Sequence, residues 1–173
     1  MQETNEENIL QIHQEQKLFF TTNQTKDVQF RLKQLRLFLT VVQKYSKDIE
    51  EALWSDLRKS PEEAFLTEIS IVIGELKNHI KNLEHWATPQ KVKTPFHLMP
   101  ATSKIYTEPL GVSLIITPWN YPFQLTINAL VGAISSGCCA ILKPSPDAPA
   151  TAKIMEKMVN ECFDSNYIAL VQG

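Results

Sequence analysis

The sequence predicts an α/β fold, with a helical N-terminal region leading into the first part of a parallel sheet. Two observations predict it. Apolar residues between positions 1 and 98 recur at helical spacing. Between positions 112 and 171, short apolar runs alternate with helix-length segments across short joints. That alternation requires parallel strands joined by helical crossovers, right-handed by the usual chirality of such connections.

The first helix is expected over residues 8–20, with Ile9, Ile12 and Gln16 on one side, and the polar turn formers of FFTTNQT end it. Val28, Leu32, Leu35, Leu39 and Val42, at spacings of 4, 3, 4 and 3, mark one face of the second helix. Ser46 is expected to cap a third, running to about residue 58. The clearest helix start is SPEE. Ser60 can accept from the Glu63 backbone, Pro61 suits the first helical position, and Glu63 can reach back to Ser60. From there Phe65, Ile69, Val72, Leu76, Ile80 and Leu83 continue one apolar stripe to about Trp86, read as core packing.

The prolines of ATPQKVKTPFHLMPA exclude a continuous helix. Ile105 and Thr107 suggest a strand, and Pro109 bends the chain before the strand expected at 112–117. LTINALVGAISS is predicted to be a helix with Gly137 as its C-terminal cap. A short strand at 139–142 is stopped by KPSPDAP. A helix over 150–163, with Ile154, Met158, Val159 and Cys162 inward, leads to a third strand at 167–171.

Composition narrows the function classes. At 173 residues, 43% hydrophobic and 21% charged, the chain is long and apolar enough to bury a core. A net charge of −2 leaves no basic excess to neutralise phosphates, so no nucleic acid partner is expected. Three cysteines, two of them adjacent, imply no disulfide framework, and a reducing, cytoplasmic setting is expected. The acidic N-terminus MQETNEENIL does not read as a signal peptide, and no apolar run approaches the roughly 20 residues of a membrane-spanning helix. His13, His79, His85 and His97 form no ligand cluster, so no metal site is expected. Cys138 and Cys139, at a helix end entering a strand, are expected to be half-buried packing residues, and Cys162 to lie on an inner helix face.

Two loops stand out. Ligands of open parallel sheets bind beyond the carboxyl ends of the strands. Residues 117–121 follow the first strand and Lys143 and Ser145 the second, so both loops are expected on that one edge. The Asn120 amide can donate to an anionic oxygen, although asparagine also favours turns in its own right. Pro118 and Pro122 would hold that amide still. Lys143 can reach a phosphate or a ribose hydroxyl, or lie solvated as most lysines do. The first strand-to-helix turn contains no GxGxxG, so a nucleotide would have to bind without a glycine-rich pyrophosphate turn.

EPLGVSLIITPWNYPFQLTINALVGAISSGCCAILKPS resembles the aldehyde dehydrogenase superfamily: E-P-x-G-V, a strand ending P-W-N-[YF]-P, a helix rich in small residues, then K-P-S, in order and at matching separations. LWSDLRKSPEEAFLTEISIV and the later WA are similar to the class 3, fatty-aldehyde branch, so the resemblance extends from about Phe19 onward. It implies oxidation of an aldehyde to a carboxylic acid with NAD or NADP, through a cysteine thiohemiacetal and a thioester hydrolysed by glutamate-activated water. Asn120 would donate to the oxyanion, Ile116, Thr117, Pro118 and Trp119 would line the nicotinamide half of the site, and Lys143, with Ser145 beside it, would bind the adenosine ribose.

The resemblance also implies a Rossmann-like architecture in three regions: helices over 1–95 packed on the cofactor domain, a hairpin segment of the oligomerisation region over 96–110, and the first βαβαβ part of the NAD(P) domain over 111–173. An aliphatic aldehyde substrate and a homodimeric parent follow from it. The pattern departs at Pro146, where the family often has a ribose-binding glutamate, and at Cys138, where it usually has asparagine. The first departure leaves the choice between NAD and NADP open. Family members are more than twice as long as 173 residues, with the nucleophilic cysteine and the glutamate farther along, so the expectation is an N-terminal fragment inactive by itself. The alternative is a non-catalytic interaction module. A related acyl-phosphate reductase shares much of the fold, but P-W-N-Y-P favours the aldehyde dehydrogenases.

Overall fold

The structure, a computed structural model, describes residues 3–173. Helix α1 (Glu6–Thr21) starts where the Asn5 side chain accepts from the Asn8 N–H. Helix α2 (Val28–Lys44) starts on Asp27 in the same way. Its inward face carries Leu32, Leu35, Phe38, Val41 and Val42, and also Arg31. The Arg31 guanidinium donates to the carbonyls of Thr25, Lys26 and Ser135, which explains how a charge is tolerated there. Helix α3 (Ser46–Leu57) follows α2 with one residue between them. Tyr45 occupies the cap, so Ser46 is the first helical residue rather than the capping one, and no side chain caps that end.

Ser60 accepts from the Glu63 N–H, as SPEE predicts, and opens α4 (Pro61–Ala64). A π turn over Phe65–Ile69 then leads into α5 (Ser70–Trp86). The wider turn corrects the predicted stripe. Phe65 is 43% exposed, whereas the consecutive residues Glu68 and Ile69 are both fully buried. His79 bridges Glu75 and Ser135 and ties α5 to the helix behind it.

Strands β1 (Gln90–Val92) and β2 (Ser103–Ile105) form an antiparallel hairpin that is almost wholly exposed. β1 went unpredicted, because three residues between proline-rich turns carry no legible period. Thr107 lies beyond β2 rather than in it.

The main sheet is parallel, in the order β3 (Val112–Ile116), β4 (Cys139–Lys143), β5 (Ile168–Leu170). Helix α6 (Pro122–Ser136) connects the first pair and α7 (Pro149–Cys162) the second. Pro122, expected in the loop, is the first residue of α6, where its missing N–H costs nothing. Gly137 closes α6 in the left-handed conformation at φ 86°. Helices α6 and α7 pack between the sheet and the layer of α2, α3 and α5. Their shared core includes Phe38, Leu53, Ile69, Phe123, Ile134 and Met158.

Helix α1 runs along the sheet. The Thr4 N–H donates to the Gln172 carbonyl just past β5, and the Gln16 side chain donates to the Ala140 and Ser165 carbonyls near the start of β4 and β5. On β3, Leu114 and Ile116 are 64% and 66% exposed, so one face of that strand is open.

Candidate active site

The strand register fixes the site. Ile116 pairs with Lys143, and the Thr117 N–H donates to the Lys143 carbonyl at 3.3 Å. The loops after β3 and β4 therefore leave the sheet side by side at its carboxyl edge, as predicted. The Thr126 hydroxyl donates to the Pro122 carbonyl at 2.6 Å, leaving its oxygen to accept from the Thr117 hydroxyl, also at 2.6 Å. Those bonds bend the loop back onto α6. Ile116, Pro118, Trp119 and Asn120 are exposed, and the Asn120 amide makes no hydrogen bond among the described residues. Lys143 is half-buried, with no ion pair among the described residues. Ser145 is buried; its oxygen accepts from the Asp147 N–H at 3.2 Å and its hydroxyl faces the Asp147 carboxylate at 3.3 Å. Ser145 therefore shapes the loop that carries Lys143.

Beneath the Asn120 loop lies an ion pair that sequence reasoning missed. The Lys59 ammonium meets Glu68 Oε1 at 2.6 Å, donates to the Asn120 carbonyl at 3.1 Å, and stands 4.0 Å from the centre of the Tyr121 ring. Glu68 Oε2 accepts from the backbone N–H groups of Phe123 and Gln124 at 2.9 and 3.1 Å. The Glu68 side chain is 0% exposed and that of Lys59 9%. A pair this buried is held by its hydrogen bonds as much as by charge, and removing one partner alone costs about 3–5 kcal/mol. A legible signal existed: Ala64, Glu68, Val72 and Leu76 recur every four residues, which places a carboxylate in phase with apolar positions.

Helix α7 is capped likewise. Asp56 accepts from the N–H groups of Ala150 and Thr151 at 3.1 and 2.7 Å and from the Thr151 hydroxyl at 2.8 Å. Both helices that follow strands thus have a carboxylate of this chain at their positive ends. A pyrophosphate finds those N–H donors already engaged, which accords with the missing GxGxxG. The open side of residues 116–119 and the unpaired Lys143 ammonium do fit a nicotinamide and a ribose. A separate cleft of about 800 Å³ lies between the start of α1 and the start of α7, lined by Asn5, Asn8, Lys153, Glu156 and Gln172, and includes neither Asn120 nor Lys143.

The cysteines stand elsewhere. All three are buried, Cys138 and Cys139 more deeply than the half-burial expected, because both pack into the start of β4. Burial pushes the Cys139 and Cys162 thiols up to about 12. Burial also acts against the Cys138 thiolate, but hydrogen bonds from Ser136, the Gly111 and Leu110 backbone and Ser113 outweigh it and lower that thiol. Cys138 and Cys139 lie at the other end of β4, five and four residues before Lys143, roughly 13–16 Å from the Asn120 edge. Among the described residues, no group of three or more His, Cys, Asp or Glu side chains could hold a metal ion.

This parallel βαβαβ unit with its helical cover has the fold found in solved aldehyde dehydrogenases. Residues 1–173 match the model of the aldehyde dehydrogenase family, and the chain belongs to that family. It is 45% identical over 157 residues to 4,4'-diaponeurosporen-aldehyde dehydrogenase of Staphylococcus aureus, covering 91% of this chain and 34% of that protein. Identity to aldehyde dehydrogenase family 3 member A2 of Macaca fascicularis is 38% over 154 residues, 89% of this chain and 32% of that one. The solved substrate-bound state of Staphylococcus aureus AldH superposes with a TM-score of 0.93 at 44% identity, covering 95% of this chain and 36% of that structure. The relatives include family 3 members from plants and mammals, in agreement with the class 3 resemblance. The chain spans about a third of the length of these relatives.

Proposed function

We propose that this chain supplies the oxyanion donor and part of the cofactor site of an NAD(P)-dependent aldehyde dehydrogenase. The longer protein oxidises an aliphatic aldehyde to the carboxylic acid, and the nicotinamide, when bound, supplies the hydride acceptor. Ile116, Thr117, Pro118 and Trp119 line the nicotinamide half of the site. Lys143 and the Ser145 loop hold the adenosine ribose. Asn120 donates its side-chain amide to the oxygen that gains negative charge when a nucleophile adds to the aldehyde carbon. The observation that carries this reading is the free Asn120 amide on a loop whose backbone is fixed, because a donor that need not reorganise stabilises developing charge best.

None of the cysteines of this stretch is suited to be that nucleophile, being buried and at the opposite end of the strands or of α7. By itself the stretch turns over no aldehyde. The exposed β1–β2 hairpin supports a homodimer, and one relative is named a dimeric, NADP-preferring aldehyde dehydrogenase. No helix among the described residues is long and apolar enough to cross a membrane, which is compatible with the cytoplasmic setting inferred from the cysteines.

The test uses the longest reading frame that contains this chain. Asn120→Ala is expected to lower kcat about 10²–10³-fold with little change in KM for the aldehyde. An unchanged kcat would overturn the oxyanion role. The open face of β3, with Leu114 and Ile116 exposed, favours a second reading as an interaction module. That reading requires the chain to be soluble only with a partner and the reading frame to lack dehydrogenase activity.

A further inference from the structure

We propose that Lys59 and Glu68 are positioning residues for Asn120, fixing its loop from the side away from the reacting oxygen. The inference rests on the oxyanion role proposed for Asn120. Pro118 and Pro122 restrict the loop's torsions but give it no anchor, and Pro122 has no N–H to donate. Of the polar backbone groups nearby, the Asn120 carbonyl and the N–H groups of Phe123 and Gln124 all point to the same ion pair. Lys59 holds the backbone of the very residue that carries the amide, and Glu68 holds the helix that begins where the loop ends. The Tyr121 ring closes over the ammonium at 4.0 Å, so the residue after Asn120 is held as well.

The geometry separates holding from capping. Glu68 uses one oxygen for Lys59 and the other for α6, while Lys59 alone reaches the loop carbonyl. Even the π turn belongs to this device. The Ser70 N–H donates five residues back to Phe65, and the widened turn brings Glu68 inward beside Ile69.

Two measurements test the proposal, both with the paired variant Lys59→Met, Glu68→Gln. That variant leaves no unpaired buried charge, and its glutamine oxygen still accepts from α6. On the 173-residue chain, ¹⁵N relaxation reads the loop directly. Backbone order parameters at Trp119, Asn120 and Tyr121 are expected to fall from about 0.85 to below about 0.6, while those of the α6 interior stay unchanged. Lys59→Arg, which keeps a donor and a positive charge, restores most of the order. Unchanged order in the paired variant overturns the proposal, and so does a loss spread evenly through α6.

In the longer reading frame, the same pair is expected to lower kcat about tenfold with KM little changed, and to have no further effect in an Asn120→Ala background. An effect that multiplies with Asn120→Ala would mark a general loss of stability and count against positioning. If Asn120→Ala alone leaves kcat intact, the oxyanion reading fails while the relaxation result still decides whether the pair orders the loop.

Discussion

At the scale of single residues, Gly137 shows how a turn and a buried charge depend on each other. Its φ of 86° suits glycine, and a Cβ there would meet the Arg31 guanidinium at 2.7 to 2.8 Å. Gly137→Ala therefore strains the backbone and displaces a side chain that satisfies three carbonyls at once. Urea unfolding should show a loss of about 2–4 kcal/mol, from left-handed strain together with disrupted buried hydrogen bonds. A loss below about 1 kcal/mol would mean that Arg31 moves aside freely. Gly137 was legible because a glycine after an apolar helical run is a local signal, and so was Asn120, because a strand that runs into two prolines is local too. Lys59 and Glu68 were not singled out. Glu68 reaches its α6 partners across 55 residues, and no window of sequence reports such a distance.

Among the elements, the helix starts divide in the same way. α1, α2 and α4 are capped by Asn5, Asp27 and Ser60, each within three residues of its acceptor's partner, and SPEE could be read directly. α6 and α7 have prolines at their starts and no local cap, and their N–H groups are satisfied by Glu68 and Asp56 from the helical layer. Proline-led helix starts with no Ser, Thr, Asp or Asn in the capping position are thus a sign that a distant acceptor exists. Asp56→Ala should cost about 2 kcal/mol and accelerate amide exchange at Ala150 and Thr151 before the rest of α7. Asp56→Asn, which keeps one acceptor oxygen, should recover about half of that loss. Exchange that speeds up uniformly along α7 would show that the helix start is not an independent weak point. The π turn and β1 also escaped the sequence, since each is shorter than the periods by which helices and strands are read.

For the whole molecule, the ionisable groups buried between sheet and helices set an alkaline limit. Cys139 and Cys162 are pushed up to about 12, and burial raises the Tyr167 phenol as well. An acid whose pKa is raised on folding keeps its full contribution below the unfolded pKa, and stability falls as pH rises from there toward the folded value. With unfolded thiols titrating near about 8.5, the raised Cys139 and Cys162 thiols should make stability decline above pH about 9, with the phenol adding a second decline above about 10. Cys162→Ala should flatten the first decline in a pH series of urea midpoints. An unchanged slope would assign the decline to other groups. The parallel unit and its helical cover were legible because alternation of short strands with helices admits few topologies. How α1 lies on the sheet was not, since its polar Gln16 makes the contact and gives no apolar signal of its own.

The course of α1 bears on how the chain is made. Thr4 waits for Gln172, 168 residues later, and Gln16 for Ala140, 124 residues later. During synthesis, α1 is made well before the strand it docks on, and the 124 residues between Gln16 and Ala140 take several seconds or more at about 5–20 residues per second. α2, α3 and α5 can pack against one another meanwhile. α1 therefore has to wait for β4 and β5 after the helices that follow it have been made, and a nascent chain stalled before β4 should still expose it to protease.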